Sequence, residues 1–314
     1  MKLLKRSIIF LLIMTIIMAF GGCAAKTKNK DIKNEAKTET KTTYPLTVKD
    51  SNGDEVTIDK EPKRVVSVAP SITETVFALG KGDELVGRSS YCDYPKKAKK
   101  VQDIGSITDP NVEKIIALKP EVVIAATHFK AAVEKKLKDL GIKVVVIYDA
   151  NDFNGVYNGI DTIGKILNAK KKAAELVAGM KTKVNSIVDK IKDAKKPTVY
   201  YVISFGKSGD YTATGETFIA QMINMAGGEN IAKDAKGWAY SKEKLIQKNP
   251  DIVIVSKMYN TKAQFIKADG YKKLKAVAKG KVLEIDNNLL DRQGPRIADG
   301  LEEMAKLLHP DLFK

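Results

Sequence analysis

Arg292 and Arg296 flank Gly294-Pro295 at a point where a helix begins. A cation there is poorly matched to the helix dipole, so a guanidinium pair in this place suggests a role in gripping carboxylate, phosphate or catecholate oxygens. The plainer reading is a solvated pair, or pairing with Asp291 and Asp299. Three aromatic residues bring different chemistry. Tyr91 falls in a loop after a short strand at Val86, and Tyr211 and Trp238 fall in loops of the second half. Aromatic side chains in such places give flat, stiff faces for a large planar ligand, although ordinary loop packing uses them equally.

Catalytic chemistry has less support. Nucleophilic catalysis needs a Ser or Cys beside a base, and the two histidines, His128 and His309, sit in no recognisable motif. No phosphate loop and no dinucleotide fingerprint occurs. Bare zinc or manganese capture favours several histidines with carboxylates, which this chain lacks. A metal, if carried, is therefore expected to arrive already chelated, with no cofactor of the protein's own. An iron-centred haem remains open, through His128, a tyrosine or a methionine.

Elements able to position such residues are legible in the hydrophobic pattern. Leu46 and Val48, then Val56 and Ile58, alternate with polar residues around Asn52-Gly53, which predicts a β-hairpin. Strands are expected at 65–69, 121–126, 143–148, 198–204, 251–256 and 281–286, with helical spacing between them. The fold class is α/β, with parallel-type sheets flanked by helices in two halves. Between them, Ala173, Val177, Met180, Val184, Ile187 and Ile191 recur at steps of three and four over 170–195. That is one long amphipathic helix, a rigid connector that permits only small movements between lobes. The expected divisions are an N-terminal lobe at 44–168, the connector at 169–196 and a C-terminal lobe at 197–314.

The chain also repeats itself. Residues 111–125 (NVEKIIALKPEVVIA) superimpose without gaps on 241–255 (SKEKLIQKNPDIVIV), each copy reading as a capped helix, a proline stop and a strand. Glu113 and Glu243 thereby fall at equivalent places in first helical turns, where a carboxylate suits the dipole. Elsewhere, Ser71 to Glu74 (SITE) reads as a capping box opening a helix at a strand's carboxyl end, with ligand contact by Glu74 or by the amides of that helix start as the alternative.

The first 22 residues have the form of an export signal: Lys2, Lys5 and Arg6, then an apolar run from Ile8 to Phe20 that is too short to span a bilayer. Gly21, Gly22 and Cys23 follow, the pattern that leaves a lipid-modified cysteine at the new N-terminus; an ordinary signal cut nearby is the alternative. Residues 23–43 are too polar to fold and read as a tether. Cys92 is the one further cysteine, so no internal disulfide is expected and the fold rests on an apolar core. The net charge of +16 points to anionic lipid or an anionic ligand, or only to a basic proteome; its lysines are scattered and no nucleic-acid motif accompanies them.

These stretches together resemble the importer-associated binding proteins for ferric siderophores, haem or cobalamin. The resemblance is carried by RVVSVAPSITETVFALG (64–80), SSYCDYP (89–95), the repeated NVEKIIALKPEVVIA, GGEN (227–230) and GPR (294–296). It implies two lobes joined by a long helix, a ligand in the cleft, and a partner consisting of an ABC permease and its ATPase. It also implies a docking role for Glu113 and Glu243, one at the tip of each lobe, against arginines of a two-fold permease. The chain is then expected to be exported, lipid-anchored, monomeric and without enzymatic activity. Tyr91, Tyr211 and Trp238 favour a broad flat corrinoid, while Arg292 and Arg296 favour an anionic ferric chelate. Haem stands third.

Overall fold

The computed structural model describes residues 41–126, 128–147 and 152–314; the signal segment and Cys23 lie outside them. The hairpin is present, with β1 (Leu46–Lys49) antiparallel to β2 (Glu55–Ile58) and Leu46 opposite Ile58. Its turn is organised by Asp50, whose carboxylate accepts the amides of Asn52 and Asp54, each at 2.9 Å. Ser51 then donates to the Val146 carbonyl at 2.9 Å, which fastens the hairpin to the first sheet. Thr42, near the end of the expected tether, is already buried and donates through its hydroxyl to Lys165.

The first lobe contains β3 (Val65–Ser67), α1 (Pro70–Ala78), β4 (Leu85–Arg88), α2 (Val112–Ala117), β5 (Val122–Ala125), α3 (Ala131–Asp139), β6 (Val144–Val146) and α4 (Phe153–Ile166). Its sheet runs β4-β3-β5-β6, all parallel. Strands covered on both faces bury every residue, as β3, β5 and β6 do. Then comes the connector, α5 (Lys170–Ile191), of 22 residues and roughly 33 Å. The residues it buries are the six that its spacing predicted.

The second lobe contains β7 (Thr198–Ser204), β8 (Tyr211–Thr212), α6 (Phe218–Met225), β9 (Glu229–Asn230), α7 (Lys242–Lys248), β10 (Ile252–Ser256), α8 (Thr261–Phe265), α9 (Lys275–Ala278), β11 (Val282–Ile285), α10 (Asn288–Asp291) and α11 (Ile297–Leu308). The sheet order is β11-β10-β7-β8, with β9 also on β7. This sheet is mixed, because β8 lies antiparallel to β7. The short connection between β7 and β8 cannot contain the crossover that a parallel neighbour needs.

The connector packs on α4 in one lobe and on α11 in the other. Lys183 reinforces the second contact, holding Asp299 and Glu302 of α11 at 2.6 Å each. The lobes also touch through Phe153 of α4 and Phe218 of α6, both buried, with ring centroids 5.3 Å apart. Phe153→Ala is expected to cost about 3–5 kcal/mol, since it leaves a cavity between lobes with little freedom to collapse. Chemical denaturation measures this, and a loss below about 1 kcal/mol would show that the junction is not tied there.

Candidate functional site

The carboxyl ends of β7 and β10 open into a cavity of about 470 Å³ in the second lobe. Strand ends of this kind are where open α/β sheets bind ligands. Its apolar wall is Ile203, Tyr211, Ile219 and Trp238, and its polar edge includes Asn287 and Asp291. Trp238 is 50% exposed and Ile203 46%, so large apolar faces stand uncovered. Tyr211 is set by a strand and not by a loop: β8 pairs with β7, and Thr212 donates to the Trp238 carbonyl at 2.8 Å. That pairing brings Tyr211 and Trp238 to one wall. Asp291 is exposed at the cavity edge, and partial desolvation by the surrounding protein raises its carboxyl pKa. A hydrogen bond from Asn287 at 2.8 Å partly offsets the rise.

Arg292 and Arg296 take neither of the arrangements their sequence context offers. Arg296 grips Glu74 with two parallel bonds, Nε to Oε2 at 2.8 Å and Nη2 to Oε1 at 2.7 Å. Arg292 donates to the same carboxylate at 2.9 Å and to Asp93 at 2.7 Å. The guanidinium of Arg296 also lies over the Tyr94 ring, 4.0 Å from its centroid. Burial would raise the Asp93 carboxyl, but Arg292 outweighs it and holds the group below its ordinary range. Asp299, one alternative partner, is held by Lys183 instead.

The capping box at Ser71 to Glu74 is not formed. Pro70 is the first helical residue, Ala69 is the N-cap, and no side chain caps the end. Proline is suited to that position because its missing N–H would be unpaired there anyway. This places Glu74 a turn inside α1, where its side chain, 1% exposed, turns to the second lobe. Close approach is permitted by Gly294: a Cβ there would stand 3.1 Å from the Ser71 carbonyl oxygen.

Tyr91 is 58% exposed and is not among the residues lining the cavity; its carbonyl accepts a long 3.5 Å contact from Arg292. Sequence reasoning missed Asp93 and Tyr94 as site residues, although both lie in the SSYCDYP stretch. Cys92, just before them, is buried against Ser89, at 3.2 Å. His309 is buried on the Gly227 carbonyl at 3.1 Å, a packing role, and His128 is exposed. In the acidic group Asp50, Asp54 and Glu134, Lys138 stands 2.6 Å from both Asp54 and Glu134, and Asp50 is engaged by the amides of the hairpin turn.

The internal repeat is structural. Asn111 caps α2 by accepting the Lys114 amide at 2.8 Å, and Ser241 caps α7 by accepting the Lys244 amide at 3.2 Å. Glu113 and Glu243 are exposed in the first turns, and neither makes an ion pair among the described residues. One turn along each helix stands an uncovered isoleucine, Ile116 at 41% and Ile246 at 40% exposure. Glu121 and Asp251 are also equivalent, accepting the amides of Arg64, just before β3, and of Thr198, the first residue of β7.

A two-lobe α/β protein with a pocket at its strand ends is a solute-binding architecture, and known proteins of similar sequence and fold agree with it. Residues 65–289 match the family described as periplasmic binding protein. The chain is 38% identical, over 99% of both lengths, to an uncharacterized ABC transporter substrate-binding lipoprotein of Bacillus subtilis (strain 168). It is 30% identical to a cobalamin-binding protein of Halobacterium salinarum, over 85% of this chain and 74% of that one. A crystal structure of a possible iron-binding (periplasmic solute-binding) protein from Staphylococcus epidermidis is similar at 34% identity and a TM-score of 0.71, covering 80% of this chain and 100% of that chain. The chain belongs to the periplasmic binding protein family, and it is a substrate-binding protein of the kind that serves ABC transporters.

Proposed function

We propose that this protein captures a corrinoid of the cobalamin class between its lobes and hands it to an ABC permease. The observation that carries the reading is the occupation of Arg292 and Arg296 by Glu74 and Asp93. Both guanidiniums are matched and neither lines the cavity, which offers a broad apolar and aromatic wall with a carboxylate at its edge and so suits a flat ligand better than an anionic ferric chelate. The similarity to a cobalamin-binding protein supports the same choice. Tyr211 and Trp238 would supply the flat contacts, with Tyr91 exposed on the first lobe outside the cavity. Titrating the purified protein with cobalamin, haem and a ferric hydroxamate, each followed by its visible spectrum, is the test. Saturable shifts with cobalamin alone are expected; saturation by either iron compound in its place would overturn the reading.

Delivery follows from the two lobe tips. Glu113 and Glu243, each beside an uncovered isoleucine, would meet a two-fold permease at matching sites, the carboxylates steering and the isoleucines adding apolar contact. A monomer carrying two like lobes provides both halves of such an interface. Lipid modification at Cys23 would keep the folded part near the permease on the outer side of the membrane. Cys23→Ala is expected to release the protein from membranes and to abolish lipid labelling. Full retention of the variant in the membrane fraction would reject the anchor.

A further inference from the structure

We infer that Glu74 is a specificity-determining residue, a built-in carboxylate that occupies the two cleft arginines and keeps anionic ligands from using them. The inference rests on the cleft reading above and adds what sets its charge selectivity. Glu74 is nearly fully buried, and such a group requires partners, yet its carboxylate is bonded wholly to the opposite lobe. Among the described residues it is the only carboxylate that Arg296 ion-pairs with. Arg292 divides between Glu74 and Asp93.

The local balance is thus two carboxylates against two guanidiniums. Asp291, next in the chain to Arg292 and on the cavity edge, tips it negative. Around these two arginines a chain of net charge +16 thus places three carboxylates, Glu74, Asp93 and Asp291. Without the Glu74 charge, Arg296 would offer its planar fork, already held over Tyr94, to any carboxylate or catecholate entering the cleft. A neutral corrinoid resting on Tyr211 and Trp238 gains nothing from that change.

Glu74→Gln preserves the shape and one accepting oxygen while removing the charge. The probe is an anionic ferric tris-catecholate, titrated by its visible absorbance beside cobalamin. The variant is expected to bind it at least about tenfold more tightly than the wild type, with the gain shrinking as salt is raised, and to hold cobalamin within about threefold. Adding Arg296→Gln to the same chain should remove the gain. Glu74→Asp, which keeps the charge, should not show it. Circular dichroism and melting identify folded variants, and Glu74→Ala read in the same assay provides a second neutral substitution. Unchanged catecholate affinity in folded Glu74→Gln and Glu74→Ala overturns the proposal, as does an equal gain in Glu74→Asp, which would make packing and not charge responsible. Failure of the wild type to bind cobalamin would instead reject the corrinoid reading and leave the charge test standing.

Discussion

Reversing both lobe-tip carboxylates, Glu113→Lys with Glu243→Lys, is expected to abolish ligand uptake while leaving ligand affinity unchanged. The two residues are exposed at equivalent places of a repeated helix and strand, neither lines the cavity, and neither makes an ion pair among the described residues. If they served only their helix dipoles, reversal would cost roughly 0.3–1 kcal/mol each in stability and nothing in transport. If they dock a permease, each reversal sets a cation against a basic partner surface, a mismatch worth several kcal/mol in association. Uptake into cells or proteoliposomes, ligand titration and melting temperature separate these outcomes. Normal uptake with a slightly lowered melting temperature would reject docking. Intermediate defects in the single variants would show that both lobes engage.

The second large effect is expected at Trp238. Its ring is half-exposed on the cavity wall, so Trp238→Ala removes little from the folded core but takes away the broad contact proposed for the ligand. The loss is about 1–3 kcal/mol, or roughly tenfold to a hundredfold in affinity. Ligand absorbance must be the readout, because the substitution removes the chain's one tryptophan. Tyr91→Ala should weaken binding less, since Tyr91 does not line the cavity. Unaltered affinity in Trp238→Ala would move the ligand site away from this cavity.

Both expectations start from sequence patterns, but the patterns differ in kind. Glu113 and Glu243 are marked by a gap-free repeat of 15 residues, and the same caps, turns and strands appear in both copies. Trp238 and Tyr211 are marked only by residue type and by falling between periodic segments. What joins them is the bond from the Thr212 amide to the Trp238 carbonyl and the antiparallel bridge of Tyr211 with Ala239, contacts that alternation over a two-residue strand cannot reveal.

The sequence by itself determined the α/β class, the hairpin, the bounds of β7 and every buried position of the connecting helix, because burial on one face of a regular element leaves a period in the chain. It also determined which helices carry Glu113 and Glu243. Only the tertiary structure decided what the charged residues of the cleft do. Glu74 looks like a helix cap because Ser-Ile-Thr-Glu fits that local pattern, while Pro70 moves the helix start and frees the side chain. Its partners stand 218 and 222 residues away, where no periodicity or spacing records them. An ion pair closes through space and depends on two lobes meeting at Gly294, so its consequence, two arginines already matched in a basic protein, exists only once the chain has folded.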